Sequence, residues 1–587
     1  MQGFVAKLMR LSMTETKVSW LEWNKESFKK AQELDKPILL GISAVWCHWC
    51  HVMDQTTYSD SEVARLIEDK FVPIRVDRDR RPDIDKRYNM GGWPSTVFLT
   101  PDGEVLTGST YIPPQQMPVL LEYVSRLYQK NKGNMKAKIK ELEQELEKPS
   151  AEYASDREVF QSVIDSLTLD IASRFDSVNG GFGEAPKFPH SEALRLTLLQ
   201  HHLQGHKAAL NIVKKTLVAM GAGGVYDKEE GGFFRYSTTR DWSIPHYEKM
   251  CEDNAKLIIN FLEAYQVTGE ETFRGTAKGI LSYVNRKLSD QENGGFYGSQ
   301  DADEVYYKLS LKERQNRTPP RIDRTLFVNW NGMMTSAHLL ASAVLEEPSY
   351  QKFALRTVDL LLKKAFSPKN GMSHYLNEGS SHLLGFLTDQ AYMIRCLIDS
   401  YQVSSDQKFL DHAESLAAFM LDKLWDAAGG FYDKPKETGA FGALKLLDKP
   451  LEENSVAADA LLRLHHLTGK QVYLEAAKKT LEFFVSDYQR YGIMGAVYGL
   501  AVELYFRPVQ IQVVGSLTDA VTLRFRNESL KAYNPLKVVE TLDPVLHPDR
   551  VKALGYPATE TPTAYVCFEG KCISVEDPKN IAKSIRQ

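Results

Sequence analysis

The tripeptide Gly-Gly-Phe occurs four times in the middle of this chain, beginning at residues 180, 231, 294 and 429. A related pair, Gly371-Met372, stands between the third and fourth copies, so successive starts lie 51 to 77 residues apart. That interval is long enough for two helices and the loop that joins them. The repeat therefore predicts a series of similar helical hairpins, which constrains the fold more than the overall composition does.

A second pattern marks the ends of the predicted helices. The segments Tyr265–Gly269, Tyr401–Ser405 and His465–Gly469 each close one stretch of helical periodicity and introduce another. About twelve stretches between residues 157 and 506 have the 3.6-residue apolar spacing of helices. Six hairpins closed into a ring form an (α/α)6 barrel, whose alternate helices line a central cavity. An open solenoid is the main alternative, but the long, aromatic-rich Gly-Gly-Phe loops favour the closed ring.

The amino-terminal segment carries the motif Trp46-Cys47-His48-Trp49-Cys50-His51 directly after the apolar run 37–43. A strand that ends in W-C-x-x-C and continues into a helix is typical of a thioredoxin-like redox site. Unpaired amides and the helix dipole stabilise a thiolate at such a helix start. We therefore expect Cys47 to be the nucleophilic thiol and Cys50 the resolving thiol.

Three alternatives for this motif remain open. Cys47, Cys50 and His51 also match the haem-attachment pattern C-x-x-C-H, although haem c is normally attached outside the cytoplasm. The two cysteines with His48 and His51 are also zinc-ligand types, although ligands crowded onto one turn do not readily form a tetrahedron. Finally, a thioredoxin fold can retain thiols that have no redox role.

The rest of this segment reads as an α/β unit. We expect a helix near residues 25–34 and strands at 38–43, 71–76 and 95–99. The sequence Gly91-Gly92-Trp93-Pro94 directly precedes the last of these strands. A charged helix then leads to Lys148-Pro149-Ser150, which we take as the first domain boundary.

Polar and titratable groups gather in the loops that precede the predicted inner helices of the barrel. Paired carboxylates with a histidine suit acid–base chemistry, and aromatic side chains suit the flat apolar faces of sugars, so we expect carbohydrate as the ligand class. A helix-capping or first-turn role would explain each acid singly. The candidate residues are Lys187, His190, Arg240, Trp242, His246, Glu248, Asp253, Asp301, Asp303, Trp330, Asn331, Asp389 and Glu452.

Beyond Phe506 the pattern changes to short apolar segments that predict a small α/β unit. The segments expected as strands are 509–514, 520–525, 536–542, 564–568 and 572–575, followed by a short helix from Pro578. Cys567 and Cys572 flank a turn between two of these strands; adjacent strands could bring them together, but we expect two buried or idle thiols by default. Cys251 and Cys396 fall in helical patterns and are expected in the core.

Charge and hydropathy limit the partners. The 72 basic and 76 acidic side chains give a formal net charge of −4, so no basic field favours nucleic acid. No apolar run approaches the roughly 18 residues that span a bilayer, and no membrane partner is expected. The few cysteines and the lack of an export signal favour a cytoplasmic location. We interpret residues 1–12 as a disordered extension, or as the product of an early start codon ahead of Met13, rather than as a transit peptide.

Several strings occur in a fixed order along the chain: CHWCHVM, VDRDRRPDIDKRY with GGWPSTVFLTPDG, PKFPH, PHYEKMCEDNA, SQDADE, RTPPRID leading to WNGMM, and AYVCFEGKC. By these strings the chain resembles the spermatogenesis-associated protein 20 family, essentially end to end. Members of that family join a thioredoxin-like domain to a six-hairpin barrel similar to glycosidases and N-acylglucosamine epimerases. The resemblance implies that Cys47 and Cys50 form the redox motif and that Pro94 is a cis proline facing them. It also places His246, Glu248, Asp253 and Asp301 on barrel motifs.

Taken together, these patterns predict three domains: a thioredoxin-like domain over 1–148, the barrel over 149–506 and the small α/β domain over 507–587. The leading hypothesis is a thiol-disulfide oxidoreductase unit, acting on a disulfide substrate protein, coupled to a barrel that binds or processes a carbohydrate or glycosylated ligand. One alternative is an epimerase or glycosidase-like barrel with a structural thioredoxin domain. Another is a binding scaffold without catalysis. No cofactor or metal is predicted.

Overall fold

The structure is a computed structural model that describes residues 17–146, 158–557 and 561–585. Two compact units share the chain. The first contains the described residues before the gap at 147–157, together with the short segments Asp301–Asp303 and Lys436–Leu447. The second contains the remainder, so residues 507–585 do not separate from the barrel in this division. The expected boundary at 148–150 and the interpretation of residues 1–12 lie outside the described residues.

The first unit is a four-stranded sheet with helices on its faces. The central strand β1 pairs in parallel with β2 and antiparallel with β3, and β3 pairs antiparallel with β4. This order, β2-β1-β3-β4, is the thioredoxin-like sheet predicted from the sequence. Its elements are α1 (Lys25–Leu34), β1 (Ile38–Ser43), α2 (His48–Gln55), α3 (Ser61–Lys70), β2 (Val72–Asp77), α4 (Pro82–Tyr88), β3 (Ser95–Leu99), β4 (Val105–Ser109) and α5 (Met117–Leu146).

The segment Lys436–Leu447 completes the core of the first unit, although it is distant in sequence. The Phe441 ring stacks on Phe28 with centroids 4.2 Å apart, and the buried Leu444 joins the apolar cluster beneath β1 and β2. Backbone contacts reinforce this packing, because the Ala443 N–H donates to the Tyr88 hydroxyl at 2.8 Å. Nothing in the apolar pattern of the amino-terminal region predicts this contribution.

The second unit contains the predicted (α/α)6 barrel. Six inner helices contact one another in a closed ring, and each packs against an outer helix. The inner helices are α7 (Ser191–Gln204), α9 (Cys251–Thr268), α11 (Val328–Leu345), α13 (Leu387–Ser404), α15 (Leu451–Thr468) and α17 (Ala496–Phe506). The outer helices are α6 (Ser162–Ser173), α8 (Lys207–Ala222), α10 (Glu271–Lys287), α12 (Pro348–Ala365), α14 (Gln407–Lys423) and α16 (Gln471–Phe484).

The inner ring closes where α17, the last barrel helix, contacts α7, and the first barrel helix, α6, packs against α17 from outside. The sixth hairpin is therefore built from the two ends of the barrel sequence. Short elements fill the loops: the hairpin Gly371–Asn377 with Ser380–Leu384, the single-turn helices Glu304–Tyr307 and Leu311–Arg314, and two-residue strands such as Tyr236–Ser237 and Pro245–His246.

Both sequence repeats have a structural cause. In the second pattern, Gly269, Ser405 and Gly469 adopt the left-handed conformation that ends an inner helix, and each N–H donates to the carbonyl four residues earlier. In the first pattern, an amide side chain on the next inner helix holds the backbone of the Gly-Gly-Phe loop. Asn254 accepts from the Phe233 N–H at 2.7 Å and donates to the Phe233 carbonyl at 3.1 Å.

The same amide clamp recurs around the ring. In each case the side-chain amide accepts from the backbone N–H of a loop residue and donates to the carbonyl of the same residue. The accepted and donated distances are 2.7 and 2.9 Å for Asn331 with Phe296, 2.7 and 3.2 Å for Gln390 with Met372, and 2.7 and 3.0 Å for Asn454 with Phe431. Gly181 shows why glycine is needed in the loop, since its φ is +76° and a Cβ would lie 2.4 Å from the Trp242 ring.

The carboxyl-terminal part is a second four-stranded sheet. Its elements are β5 (Val509–Val514), α18 (Ala520–Lys531), β6 (Lys537–Leu542), α19 (Pro548–Ala553), β7 (Thr563–Phe568), β8 (Lys571–Val575) and the short helix α20 (Ile581–Ser584). The expected strand at 520–525 is wrong. Asp519 caps a helix there by accepting from the Val521 and Thr522 N–H groups, and the buried residues Thr522, Phe525 and Ser529 have helical spacing.

This second sheet repeats the topology of the first. Its order is β6-β5-β7-β8, with β5 parallel to β6 and antiparallel to β7, and β7 antiparallel to β8. The order of elements along the chain is strand, helix, strand, helix, strand, strand, helix, which matches the first unit except that the first unit has α1 before β1 and a second helix, α3, between β1 and β2. The chain therefore contains two sheets of thioredoxin-like topology, one of which the sequence predicted only as a small α/β unit.

The expectation of idle thiols at the carboxyl-terminal pair is also wrong, because Cys567 and Cys572 are disulfide-bonded. Cys251 and Cys396 are buried free thiols on inner helices, as predicted. In the described part of the chain, no helix is both long enough and apolar enough to cross a membrane.

Replacing Leu444 with alanine is predicted to destabilise the first unit, because the lost side chain leaves a cavity in the cluster beneath β1. A cost of about 2–5 kcal/mol is expected, read as lost hydrogen-exchange protection of the β1 and β3 amides. Leu446→Ala is the matched control, since that side chain is 46% exposed. Equal protection in both variants would contradict the assignment of Leu444 to this core.

Candidate redox site and barrel cavity

Cys47 stands at the N-cap of α2, where the sequence places it. Its Sγ accepts a hydrogen bond from the Cys50 N–H at 3.2 Å, and the two cysteines form a disulfide. The first amides of a helix have no partner within the helix, so they are available to a sulfur atom at this position. Only 4% of Cys47 and 2% of Cys50 is exposed, so the pair lies just beneath the surface.

Aromatic side chains frame the cysteines. Trp46 is buried, and its indole N–H donates to Asp79 Oδ2 at 2.7 Å. Its ring meets the Trp93 ring edge-on at 5.9 Å, and Trp93 precedes Pro94 through a cis peptide bond, as the family resemblance implied. Trp49 is half exposed and forms part of the surface beside the motif.

His51 follows Cys50 and is paired with a residue from a distant part of the sequence. Its Nε2 lies 3.7 Å from Asp301 Oδ2. Asp301 raises the pKa of His51 above its ordinary value, against the opposing effect of burial, and Asp54 and a hydrogen bond to the Val45 backbone add to the rise. An imidazolium is therefore favoured one residue beyond the resolving cysteine.

This contact changes the interpretation of two predicted barrel residues. Asp301 and Asp303 were expected in the barrel site, but they cluster with the thioredoxin-like unit. Sequence reasoning could not assign them, because the string in which they occur lies between two barrel hairpins.

Four predicted residues build the first Gly-Gly-Phe loop. The Lys187 ammonium is fully buried and donates to Asp176 at 2.8 Å and to the Gly180 carbonyl at 2.7 Å. Arg240 contacts the same carboxylate at 2.8 Å and holds the pKa of Asp176 well below its usual range. Trp242 is completely buried against Gly181. The fourth, His190, precedes α7, and burial lowers its pKa to about 4.

The lysine clamp is repeated, which the sequence analysis missed. Lys249 contacts Asp227 at 2.7 Å and the Gly231 carbonyl at 2.8 Å. Lys449 pairs with Asp426 and donates to the Gly429 carbonyl at 2.7 Å. An aspartate three or four residues before each Gly-Gly pair was the available signal.

Two histidine–carboxylate pairs lie near the starts of inner helices. His246 Nδ1 is hydrogen-bonded to Glu248, which is 1% exposed. His374 Nδ1 lies 2.9 Å from Asp389 Oδ2, and both side chains are buried. Burial raises the pKa of Asp389 despite the opposing charge of His374. Sequence reasoning found Asp389 but missed His374, because it lies on a loop hairpin.

Two further predicted residues lie at the start of α11. Asn331 forms the amide clamp described above, and Trp330 is 5% exposed, with its ring 4.5 Å from that of Phe327. Both are therefore parts of the packed loop framework.

Glu452 belongs to a cluster that joins three inner helices. It accepts hydrogen bonds from Lys256 Nζ at 2.9 Å and from the Tyr392 hydroxyl at 3.0 Å. Although burial opposes the charge, Glu452 and Tyr392 carry the pKa of Lys256 above its ordinary value. Asp253 lies one turn before Lys256; burial raises the pKa of Asp253, and the neighbouring charge of Glu252 raises it further.

Lys256 and Tyr392 of this cluster also line the first of two adjoining cavities in the barrel, which have volumes of about 120 and 150 Å³. Their shared lining is Arg195, Ile259, Ser336, Arg395, Arg463 and Pro535. The three arginines are paired: Arg195 with Glu263 at 3.0 Å, and Arg395 and Arg463 with Asp459 at 2.9 and 3.0 Å. Apolar side chains of α9 and α17 complete the cavity that Lys256 and Tyr392 line. The cavity walls therefore contain both paired charged side chains and apolar side chains.

Arg463 also donates to the carbonyls of Pro535 and Lys537, so the segment before β6 closes this part of the barrel. Burial lowers the pKa of Lys537 to about 7. Among the described residues, no group of three or more His, Cys, Asp or Glu side chains is placed to hold a metal ion.

Comparison with known proteins gives relatives of both parts. The family model Thioredox_DsbH, described as a protein of unknown function, DUF255, matches residues 8–147. Spermatogenesis-associated protein 20 of Homo sapiens is 27% identical and aligns with 96% of this chain and 89% of its own length. Thioredoxin Y1, chloroplastic, of Arabidopsis thaliana is 31% identical over 14% of this chain and 49% of its own length. A solved sugar epimerase from a ruminal bacterium matches with a TM-score of 0.45 and 13% identity, covering 56% of this chain and 87% of that chain.

By fold and site, the chain joins a thioredoxin-like unit with a Cys47–Cys50 disulfide to an (α/α)6 barrel. Its similarity to spermatogenesis-associated protein 20 extends over nearly all of its length and confirms the resemblance indicated by its motifs.

Replacing Asp301 with asparagine is predicted to lower the pKa of His51, because the carboxylate that stabilises the imidazolium is lost. An NMR titration of the His51 ring measures the shift, and Asp303→Asn serves as the control. An unchanged His51 titration in the Asp301 variant would exclude this pairing.

Proposed function

We propose that the Cys47–Cys50 pair catalyses thiol–disulfide exchange on a disulfide-bonded substrate protein. The observation that supports this most directly is the position of Cys47 at the N-cap of α2, with the Cys50 N–H directed at its sulfur. In the reduced state this amide and the helix dipole favour the Cys47 thiolate over the thiol. The His51 imidazolium, held by Asp301, adds a positive charge at the same helix start.

The exchange then runs in two steps. The Cys47 thiolate attacks one sulfur of the substrate disulfide, forming a mixed disulfide and releasing the other substrate sulfur as a thiolate. Cys50 then attacks Cys47 Sγ, which frees the second substrate thiol and restores the Cys47–Cys50 disulfide. Two electrons pass from the protein to the substrate, and an external dithiol must supply them for the next cycle.

Cys47→Ser is predicted to abolish disulfide reduction, whereas Cys50→Ser should accumulate a mixed disulfide, since the resolving thiol is absent. Turbidity from insulin reduction with a dithiol donor measures the first result, and non-reducing electrophoresis measures the second. The double variant Cys567→Ser/Cys572→Ser is the control and should retain activity. Undiminished reduction by Cys47→Ser would refute the proposal.

We further propose that the barrel cavity binds a carbohydrate or glycosylated ligand. The support is its lining: paired charges supply hydrogen-bond donors and acceptors, while apolar residues of α9 and α17 offer surface to the faces of a sugar ring. Among the carboxyl groups near the inner-helix starts, Asp253 and Glu452 are the best placed for acid–base chemistry. The raised pKa of Asp253 favours a proton donor, and Glu452 is held by Lys256 and Tyr392.

A matching sugar is predicted to raise the unfolding temperature, with a gain of about 2.7 kcal/mol in unfolding free energy at 100 times its Kd. Ser336→Phe should abolish this shift, because the ring would fill space that both cavities share. Tyr392→Phe should weaken binding severalfold while keeping the aromatic packing. Differential scanning fluorimetry with a panel of neutral and acidic sugars provides the measurement.

The two proposals fail independently. If no sugar in the panel shifts the wild-type protein, the cavity proposal is wrong and the exchange activity is unaffected. The cytoplasmic location and the absence of nucleic-acid partners stay predictions based on composition.

A further inference from the structure

We propose that the Cys567–Cys572 disulfide is a second redox site, which is opened by a protein dithiol attacking the sulfur of the exposed residue Cys572. This site is separate from Cys47–Cys50, and the proposal does not depend on the activity proposed for that pair. It rests on the register of the β7–β8 hairpin, on the unequal exposure of the two cysteine residues and on a hydroxyl next to the sulfur of one of them.

The disulfide joins residues that already face each other. Cys567 and Cys572 are direct partners in the antiparallel register of β7 and β8, and the ladder continues on both sides from Ala564–Val575 to Phe568–Lys571. A disulfide stabilises a fold mainly by closing a loop in the unfolded chain, and the gain falls as that loop shortens. Here the bond closes one of the shortest loops available, which the hairpin closes anyway. Its value as a structural brace is therefore small.

The two cysteines have different surroundings. Cys572 is exposed, whereas Cys567 is only partly so and has the Tyr556 hydroxyl 3.3 Å from its Sγ. An incoming thiolate reaches Cys572 more easily, and Cys567 is then the leaving group. Exposed disulfides are the labile and regulatory ones, and a stabilised leaving thiolate speeds exchange.

The Tyr556 hydroxyl is placed to stabilise Cys567 as the leaving group. In the disulfide state its hydroxyl donates to Gln512 Oε1 at 3.0 Å, and its ring stacks on Tyr565 with centroids 4.1 Å apart. A thiolate at Cys567 would accept a hydrogen bond from the Tyr556 hydroxyl more strongly than a disulfide sulfur does. Burial raises the pKa of Tyr556, with further effects from Glu540, Tyr565 and the opposing charge of Arg550, so the hydroxyl keeps its proton.

The usual redox position of a thioredoxin-like sheet is not available in the carboxyl-terminal part. The helix after β5, α18, begins at Ala520, and the carboxylate of Asp519 occupies the N-cap place that Cys47 takes in the first unit. Thr522 stands where Cys50 stands, three residues later. The thiols of this part lie instead on the β7–β8 hairpin.

The reaction balances as a dithiol–disulfide exchange. One thiolate of the donor attacks Cys572 Sγ, the Cys567–Cys572 bond breaks, and Cys567 leaves as a thiolate that takes up a proton from solvent. The second donor thiol attacks the mixed disulfide, releases Cys572 as a thiol and leaves the donor oxidised. Two electrons and two protons pass from the donor dithiol to the hairpin.

The test uses the full chain with Cys47→Ser and Cys50→Ser, so that only the hairpin disulfide can exchange. The remaining thiols, Cys251 and Cys396, are completely buried and should not react in the native protein. The protein is incubated with mixtures of reduced and oxidised glutathione, quenched with an alkylating reagent and digested with trypsin. Because trypsin cleaves after Lys571, the two cysteines fall in different peptides, and mass spectrometry reads each one separately.

We expect glutathione adducts on Cys572 to exceed those on Cys567 severalfold, and dithiothreitol to expose two alkylatable thiols per chain without denaturant. Alkylation that requires denaturant would overturn the proposal, as would equal adducts on the two cysteines.

Tyr556→Phe should slow reduction of the disulfide severalfold near neutral pH and move the pH midpoint of the reduction rate upward. Tyr565→Phe is the matched control, since it keeps the stacked ring and leaves the Tyr556 hydroxyl in place. A Tyr556 variant that only melts earlier, with an unchanged pH profile, would show that the hydroxyl is structural.

Discussion

The start of an α-helix leaves several backbone N–H groups without a partner, and the helix dipole makes that end positive. Much of this protein is arranged around that constraint. In the first unit a sulfur atom, Cys47 Sγ, occupies the cap of α2. In the carboxyl-terminal sheet a carboxylate, Asp519, occupies the cap of α18. The same backbone geometry therefore supports a thiol site in one sheet and a simple cap in the other, and a single side chain determines which.

The barrel meets the same constraint in another way. The inner helices α7, α9, α11, α13 and α15 begin at residues whose side chains make no capping hydrogen bond. Acidic residues fill the first turns of four of them: Glu192, Glu252 with Asp253, Asp389, and Glu452 with Glu453. The acidic residues at this end of the barrel are thus explained by their favourable interaction with the positive ends of the inner helices, whether or not they take part in catalysis. For that reason a carboxylate at a helix start is weak support for catalysis, and only further features distinguish Asp253 and Glu452.

Local patterns in the sequence were sufficient to predict most of the fold. Periodicity and the Gly-Gly-Phe loops were sufficient for the ring, because each hairpin repeats a local pattern that ends at residues such as Gly269 and Gly469. The thioredoxin-like sheet followed from W-C-x-x-C and the strands around it. Segment 520–525 was misassigned because its β-branched and apolar residues alternate, while the cap that makes it a helix lies in the preceding residue. Lys256 and Tyr392 were missed because a sequence does not give the rotation of a helix within a ring.

The candidate site could be predicted less well than the fold, because its geometry depends on contacts between residues far apart in the sequence. These contacts also determine which of the predicted residues remain candidates for a chemical role. Lys187 and Asn331 are engaged in clamps that recur in other hairpins, and a device that recurs at equivalent positions is explained by loop closure alone. Asp301 contributes to the thioredoxin-like unit, where its charge acts on His51. Lys256, Tyr392 and Glu452 form a cluster that has no counterpart among these clamps. It joins three inner helices, and Lys256 and Tyr392 line one of the cavities. Because loop closure does not require this cluster, it is the feature on which the proposed ligand site of the barrel depends.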